Sequence, residues 1–158
     1  MIQKVKGKKY LINGGLGMIG STIAKILVEA EAEVTIVDAM IKPFGANLFN
    51  IEKIKNQVKT RFFDIKNTED MKKEIKDKDV IFNLAGQVSH NDSIVNPLYD
   101  AKMNYLYQLN VMECIRKFNP NAKTIFSGSR LQFGKIKKAP VDESHASCPE
   151  TPYAIHKQ

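Results

Sequence analysis

Tyr153 and Lys157 stand four residues apart near the start of a helical stretch. Side chains at that spacing share one helix face. An ammonium beside a phenol favours the phenolate and lowers the tyrosine pKa toward working pH. A phenol poised in that way can take a proton from a substrate hydroxyl. Upstream, Ser129 closes a short apolar run that reads as the fifth strand of the chain. Open α/β sheets bind ligands beyond the carboxyl ends of their strands, so its hydroxyl is placed to hold the same substrate oxygen. A Tyr-x-x-x-Lys pair alone is a weak signal. Its weight comes from the serine before it and from a glycine pattern near the other end of the sequence.

That pattern is Asn13 to Gly20, Asn-Gly-Gly-Leu-Gly-Met-Ile-Gly, with Gly14, Gly17 and Gly20 at the spacing G-x-x-G-x-x-G. The apolar run Lys9 to Ile12 before it reads as a buried strand, and Ser21 to Ala30 after it carries apolar residues at helical period. Strand, glycine turn and helix form the context that a dinucleotide fingerprint requires. A helix N-terminus offers N–H groups and partial positive charge to a pyrophosphate, here at Gly17, Met18, Ile19 and Gly20. The next strand, Glu33 to Asp38, ends in an acid about twenty residues past the glycines. Such a carboxylate accepts the adenosine ribose hydroxyls of NAD and repels the 2′-phosphate of NADP. No arginine follows it closely and Lys42 is the nearest base, so NAD is the expected cofactor.

The elements that must position these residues alternate along the chain. A short helix is expected over Asn47 to Asn56 and a third strand over Val58 to Asp64. A polar helix follows over Thr68 to Lys76 with Thr68 as its N-cap, then a fourth strand over Asp79 to Ala85. A loop runs from Gly86 to Asp92, and Pro97 opens one long helix reaching Lys117, which Asn119-Pro120 stops. Ala122 to Ser129 is the fifth strand, Arg130 to Pro152 a long loop, and a last helix begins near Tyr153. This alternation predicts a Rossmann-like doubly wound parallel sheet of order 3-2-1-4-5 in a single domain over 1–158.

Composition narrows the classes. A 43% apolar content supports a sizeable core, and no apolar run has the length of a membrane span. The glycine-broken start of the sequence argues against a signal peptide. Cys114 and Cys148 form no C-x-x-C pair, so reduced thiols in a cytoplasmic protein are expected, with no metal site. The net charge is +7, yet only Arg61, Arg116 and Arg130 are arginines among the 24 basic residues. Readers of base edges lean on arginine, so the charge reads as solvated lysine surface and no nucleic-acid partner is expected. His90, His145 and His156 lack ligand spacing and read as loop or helix-surface residues.

Taken together, these residues resemble the N-terminal, NAD-binding part of the extended short-chain dehydrogenase/reductases, in the nucleotide-sugar epimerase/dehydratase group. The resemblance runs in register along nearly the whole chain. Gly14, Gly17 and Gly20 match the glycine motif, and Asp38 matches the ribose acid. Asp64-Ile65 matches the pair set against the adenine, and Leu84-Ala85-Gly86 the small-residue turn along the cofactor. Asn104 matches the asparagine of the long helix, Ser127-Gly-Ser129 the serine-rich strand end, and Tyr153-Ala-Ile-His-Lys157 the catalytic helix. The resemblance implies that Tyr153 is the general base and that Lys157 lowers its pKa and holds the nicotinamide ribose. Ser129 would orient the sugar hydroxyl. NAD would be a bound, recycled cofactor that takes a hydride from the sugar and returns it to the other face.

Departures from the family refine the expectation. Its dehydratases place Asp-Glu after the serine position, where this chain has Arg130-Leu131, so 4,6-dehydration is disfavoured. Asn83 stands where the family often has His, and Phe133 where it often has Tyr. Arg130 and Gln132 are candidates to touch substrate, with surface-loop roles equally open. Family members run to about twice this length, so the sixth strand and the substrate domain are expected to be missing, as in a fragment or a split gene product. The expected activity is NAD-dependent epimerisation of a nucleotide-linked sugar, dimeric in full-length form and weak in the 158-residue chain alone. The alternatives are a reductase or dehydratase of the same family, or a catalytically silent NAD-binding module.

Overall fold

The computed structural model describes residues 5–158. Five parallel strands form one sheet: β1 (Lys9–Asn13), β2 (Glu33–Val37), β3 (Val58–Arg61), β4 (Val80–Asn83) and β5 (Lys123–Phe126). Their order is β3-β2-β1-β4-β5, as the alternation predicts. The register is continuous: Leu11 faces Thr35 on one side and Ile81 on the other. β1 is the central strand and alternates its apolar side chains between the two faces of the sheet. Tyr10 and Ile12 join Ala24 and Leu27 of α1 (Met18–Glu29), together with Ile51 and Ile54 of a 3-10 segment over Leu48–Ile54. Leu11 instead packs with Met71 and Ile75 of α2 (Thr68–Ile75) and with Val111, Cys114 and Ile115 of α5 (Tyr107–Phe118). Each face of the sheet is therefore covered by its own helices, which is why the central strand β1 is buried at consecutive positions while the edge strands β3 and β5 alternate with exposed residues.

Two compact units emerge from the internal packing. The first is Met1–Gly86 with Tyr107–Phe126 and holds the sheet; the second is Gln87–Leu106 with Ser127–Gln158. In the second unit, α3 (His90–Val95), α4 (Pro97–Ala101) and a π-helical segment, Lys102–Leu106, are followed later in the chain by a 3-10 turn at Arg130–Phe133 and by α6 (Pro152–His156).

Several expected boundaries shift. α1 begins at Met18, three residues before the predicted start, because the chain enters helical geometry directly from Gly17. The cap of α2 is Asn67 and not Thr68: the Asn67 side chain accepts the Asp70 N–H at 3.2 Å while its own backbone is extended. The loop expected over Gly86 to Asp92 already contains the first turn of α3, capped by Ser89. Pro97 does open a helix, at its first turn after Asn96, but the predicted single helix is interrupted by the π segment. No helix among the described residues is long and apolar enough to cross a membrane.

Candidate active site

In the sheet unit, the glycine turn is shaped by close approach. Gly14 has φ +76°, and a Cβ on it would lie 2.8 Å from the Ala85 Cα. A Cβ on Gly20 would lie 2.5 Å from the Gly14 carbonyl oxygen. Both positions therefore demand glycine, and the turn leads straight into the first turn of α1. No side chain caps that end of the helix, so the N–H groups at Met18 and Ile19 are left for an anion. The Asp38 carboxylate faces the same turn: Oδ2 accepts the Leu16 N–H at 3.1 Å and Oδ1 the Met40 N–H at 2.9 Å. Each oxygen retains acceptor capacity for a hydroxyl. The Leu16 side chain is fully buried, and its carbonyl accepts from Asn50 Nδ2 at 2.8 Å, which ties the turn to the 3-10 segment.

A buried amide ladder crosses the carboxyl ends of β1 and β4. Asn13 Nδ2 donates to Asn83 Oδ1 at 3.2 Å, Asn83 Nδ2 to Gln108 Oε1 at 2.8 Å, and Gln108 Nε2 to the Ala85 carbonyl at 2.9 Å. The Asn13 Oδ1 is buried with no hydrogen-bond partner among the described residues, and so remains an open acceptor beside the glycine turn. Asn83 thus replaces the family's frequent histidine with a link in this ladder. Leu84, Ala85 and Gly86 continue from β4, and Leu84 N–H bonds the Asn13 carbonyl at 3.0 Å. Asp64 is engaged by the Lys66 N–H and ammonium, while the Ile65 side chain is buried in the core. The cradle with its uncapped helix, the acid against the turn and the open amide acceptor fit the pyrophosphate and adenosine of a dinucleotide.

The second unit holds the catalytic candidates. α6 has only five residues, too few to persist without tertiary support. Thr151 caps it, and the Lys157 N–H bonds the Tyr153 carbonyl at 3.1 Å, so the pair does share a helical turn. Lys157 is 5% exposed. Ser129 starts the 3-10 turn, where its Oγ accepts the Leu131 N–H at 3.2 Å and its hydroxyl also engages the Tyr153 phenol. Burial raises the Tyr153 pKa above the usual phenol value; the Ser129 hydroxyl opposes this and the Asp100 carboxylate adds to it. Lys157 is held below the ordinary lysine value by burial, against the pull of Asp100. The expected depression of the phenol is therefore not seen in the chain by itself, because desolvation outweighs the Ser129 hydrogen bond and the Asp100 charge acts in the same direction as burial.

Ser127 is half-buried just before Ser129, and Arg130 is exposed. The Gln132 carbonyl accepts from the Cys148 N–H at 2.8 Å and the Ser147 hydroxyl at 3.0 Å, so its backbone anchors the long loop. Asn104 lies buried in the π segment, a geometry that recurs at functional sites. Sequence reasoning missed Ser93, whose Oγ accepts the Tyr153 N–H at 3.1 Å, and Asp100, whose Oδ1 bonds His156 Nδ1 at 2.7 Å. His156 is thus not the helix-surface residue expected of it. The spacing of Asp100 and Asn104, four apart after a Pro-opened helix, was the available signal.

Comparison with known proteins agrees with this geometry. The family model described as GDP-mannose 4,6 dehydratase matches residues 11–158. A Methanocaldococcus jannaschii protein provisionally named a UDP-glucose 4-epimerase is 33% identical over 150 residues, covering 93% of this chain and 47% of that protein. The structure of a UDP-N-acetylglucosamine 4-epimerase from Methanobrevibacter ruminantium, in complex with UDP-N-acetylmuramic acid, superposes with a TM-score of 0.87. It is 30% identical, with 96% of this chain and 47% of that one covered. The Thermus thermophilus UDP-glucose 4-epimerase in complex with NAD gives 0.82 at 25% identity, covering 94% and 47%. The chain spans about half the length of the curated relatives it matches. With the family model matched over residues 11–158 and the strand order of the solved epimerases, the chain belongs to the GDP-mannose 4,6-dehydratase family of extended short-chain dehydrogenase/reductases, the nucleotide-sugar epimerase/dehydratase group.

Proposed function

We propose that this chain is the NAD-binding part of a nucleotide-sugar epimerase. The observation that carries the reading is the Ser129, Tyr153 and Lys157 set, with Arg130-Leu131 where a dehydratase would carry its acid pair. NAD, when bound, supplies the site that accepts the sugar's hydride and returns it. The chain's own residues bind, orient and move the proton. The glycine turn and the start of α1 hold the pyrophosphate, and Asp38 receives the adenosine ribose, with Asp64, Ile65 and the Leu84 to Gly86 turn along the adenosine. Asn104, Ser127, Tyr153 and Lys157 serve the nicotinamide half. Tyr153 takes the proton from the sugar hydroxyl as the keto-sugar forms and gives it back when the opposite face is reduced. Ser129 holds that oxygen during both steps.

An ordinary phenol is un-ionised at neutral pH and burial raises this one further, so positive charge beside it, from Lys157 and from oxidised nicotinamide when bound, would lower it in the working enzyme. The substrate class is proposed from the relatives, which act on or bind UDP-linked sugars. A full-length version incubated with UDP-, GDP- and CDP-sugars, with product stereochemistry read by NMR, tests the proposal. Inversion at one carbon without net consumption of NAD is expected. Net oxidation, net reduction or loss of water would contradict it.

A further inference from the structure

α6 must present Tyr153 and Lys157 on a single fixed turn, yet it is too short to fix itself. Two side chains from the preceding helices hold it, and one of them is a fully buried carboxylate, Asp100. Oδ1 of Asp100 bonds His156 Nδ1, between the two catalytic candidates in sequence, at 2.7 Å. Oδ2 accepts one hydrogen of the Asn104 amide at 2.7 Å. The second amide hydrogen goes to the Gln87 carbonyl at 3.0 Å. Both donors of Asn104 are therefore spent, and its orientation is not a matter of choice: a carboxylate and a carbonyl accept only. The Asn104 Oδ1 is left buried with no partner among the described residues.

We propose that Asp100 is a positioning residue for the reaction. Its carboxylate latches the catalytic helix through His156 and turns the Asn104 amide so that its carbonyl oxygen stays open as an acceptor for the cofactor. The assignment of that acceptor rests on the NAD-dependent reading of the same site. Because a carboxylate accepts only, His156 must carry a hydrogen on Nδ1 in either of its charge states. Asp100 also places a negative charge near Tyr153 and Lys157, which opposes early loss of the phenol proton and favours the charged lysine.

The isosteric change Asp100→Asn discriminates sharply. Two donors, His156 Nδ1–H and the Asn104 amide, need two acceptors, and an asparagine side chain has one. Either one link breaks, or His156 gives up its Nδ1 hydrogen and accepts from the new amide; both outcomes remove the Nδ1 proton's bond while the shape of the side chain is retained. Three readouts on the 158-residue chain test this: NAD affinity by calorimetry, the His156 Nδ1 proton by nitrogen-edited NMR without NAD, and Tyr153 ionisation from ultraviolet spectra referenced to Tyr153→Phe. In Asp100→Asn the His156 proton is expected to shift or vanish and Tyr153 to ionise at lower pH. NAD binding is expected to weaken about tenfold. The second variant, His156→Ala, removes only the latch. It should speed amide exchange at Tyr153 and Lys157 and weaken NAD binding about threefold. A folded Asp100→Asn chain with wild-type values in all three readouts would overturn the role. So would wild-type exchange at α6 in His156→Ala, should the first variant fail to fold. If the wild-type chain binds no NAD while the proton and the ionisation still respond, the cofactor reading fails and the positioning role stands.

Discussion

At the scale of single residues, the site is built from positions where only one side chain works. A methyl group at Gly20 would press to 2.5 Å on the Gly14 carbonyl, which is backbone and cannot move aside. Gly20→Ala is therefore expected to destabilise the chain by about 1–3 kcal/mol in urea unfolding and to weaken NAD binding in calorimetry. Tyr153 carries a pH prediction. Its pKa is raised in the folded chain, so the folded state holds that proton more tightly than the unfolded one. The associated stability is fully present below the ordinary phenol value of about 10 and is lost as pH rises through the raised value. Melting curves taken across that alkaline range should fall less steeply in Tyr153→Phe than in the parent. Gly14, Gly20, Asp38, Ser129, Tyr153 and Lys157 are the site residues that the sequence proposes, because fixed spacing within a strand-turn-helix or a helical turn announces them. Ser93 was not legible, and Asp100 only through its spacing from Asn104: their partners on α6 lie 60 and 56 residues further along the chain. Contacts of that separation leave no local period to read. The sign of the Tyr153 shift was missed for a related reason, since desolvation depends on what packs around a group and not on its neighbours in sequence.

Among the elements, existence and order were legible while ends were not. The five strands and their 3-2-1-4-5 order follow from alternating apolar runs and helical periods, and all five appear. β5 stops at Phe126 instead of Ser129, and β3 at Arg61 instead of Asp64, because ladder pairing with the neighbouring strand ends there. Hydrophobic pattern does not report where pairing ends. The π segment at Lys102–Leu106 interrupts a helix with neither Gly nor Pro to mark it. Within it Asn104 bonds Asp100 four residues back and the Gln87 carbonyl seventeen back, the second a contact with no local period. Caps give a direct test at this scale. Asn67→Ala removes the side-chain acceptor at the start of α2 and should cost about 1 kcal/mol in chemical denaturation, with native-like circular dichroism below the transition. Asn50→Ala, which leaves the Leu16 carbonyl with only the Asn47 N–H, should cost a similar amount or less and should also loosen the glycine turn, seen as faster amide exchange at Leu16 and Gly17.

For the whole molecule, the two units carry different halves of one proposed chemistry. The sheet unit holds the glycine turn and Asp38, proposed for the cofactor; the second unit holds Ser129, Tyr153 and Lys157, proposed for proton transfer, and Asp100, proposed to position them. Fold and family were readable because these features recur in register along the chain. The sugar and its nucleotide were not, since the relatives are named for UDP-, CDP- and GDP-linked sugars alike. The central claim, an NAD site organised by the glycine turn and Asp38, is tested most directly by titrating NAD and NADP separately into the purified chain in a calorimeter. The account predicts saturable one-to-one binding of NAD, at least about tenfold tighter than NADP. Absence of NAD binding, or NADP bound as tightly, would contradict it.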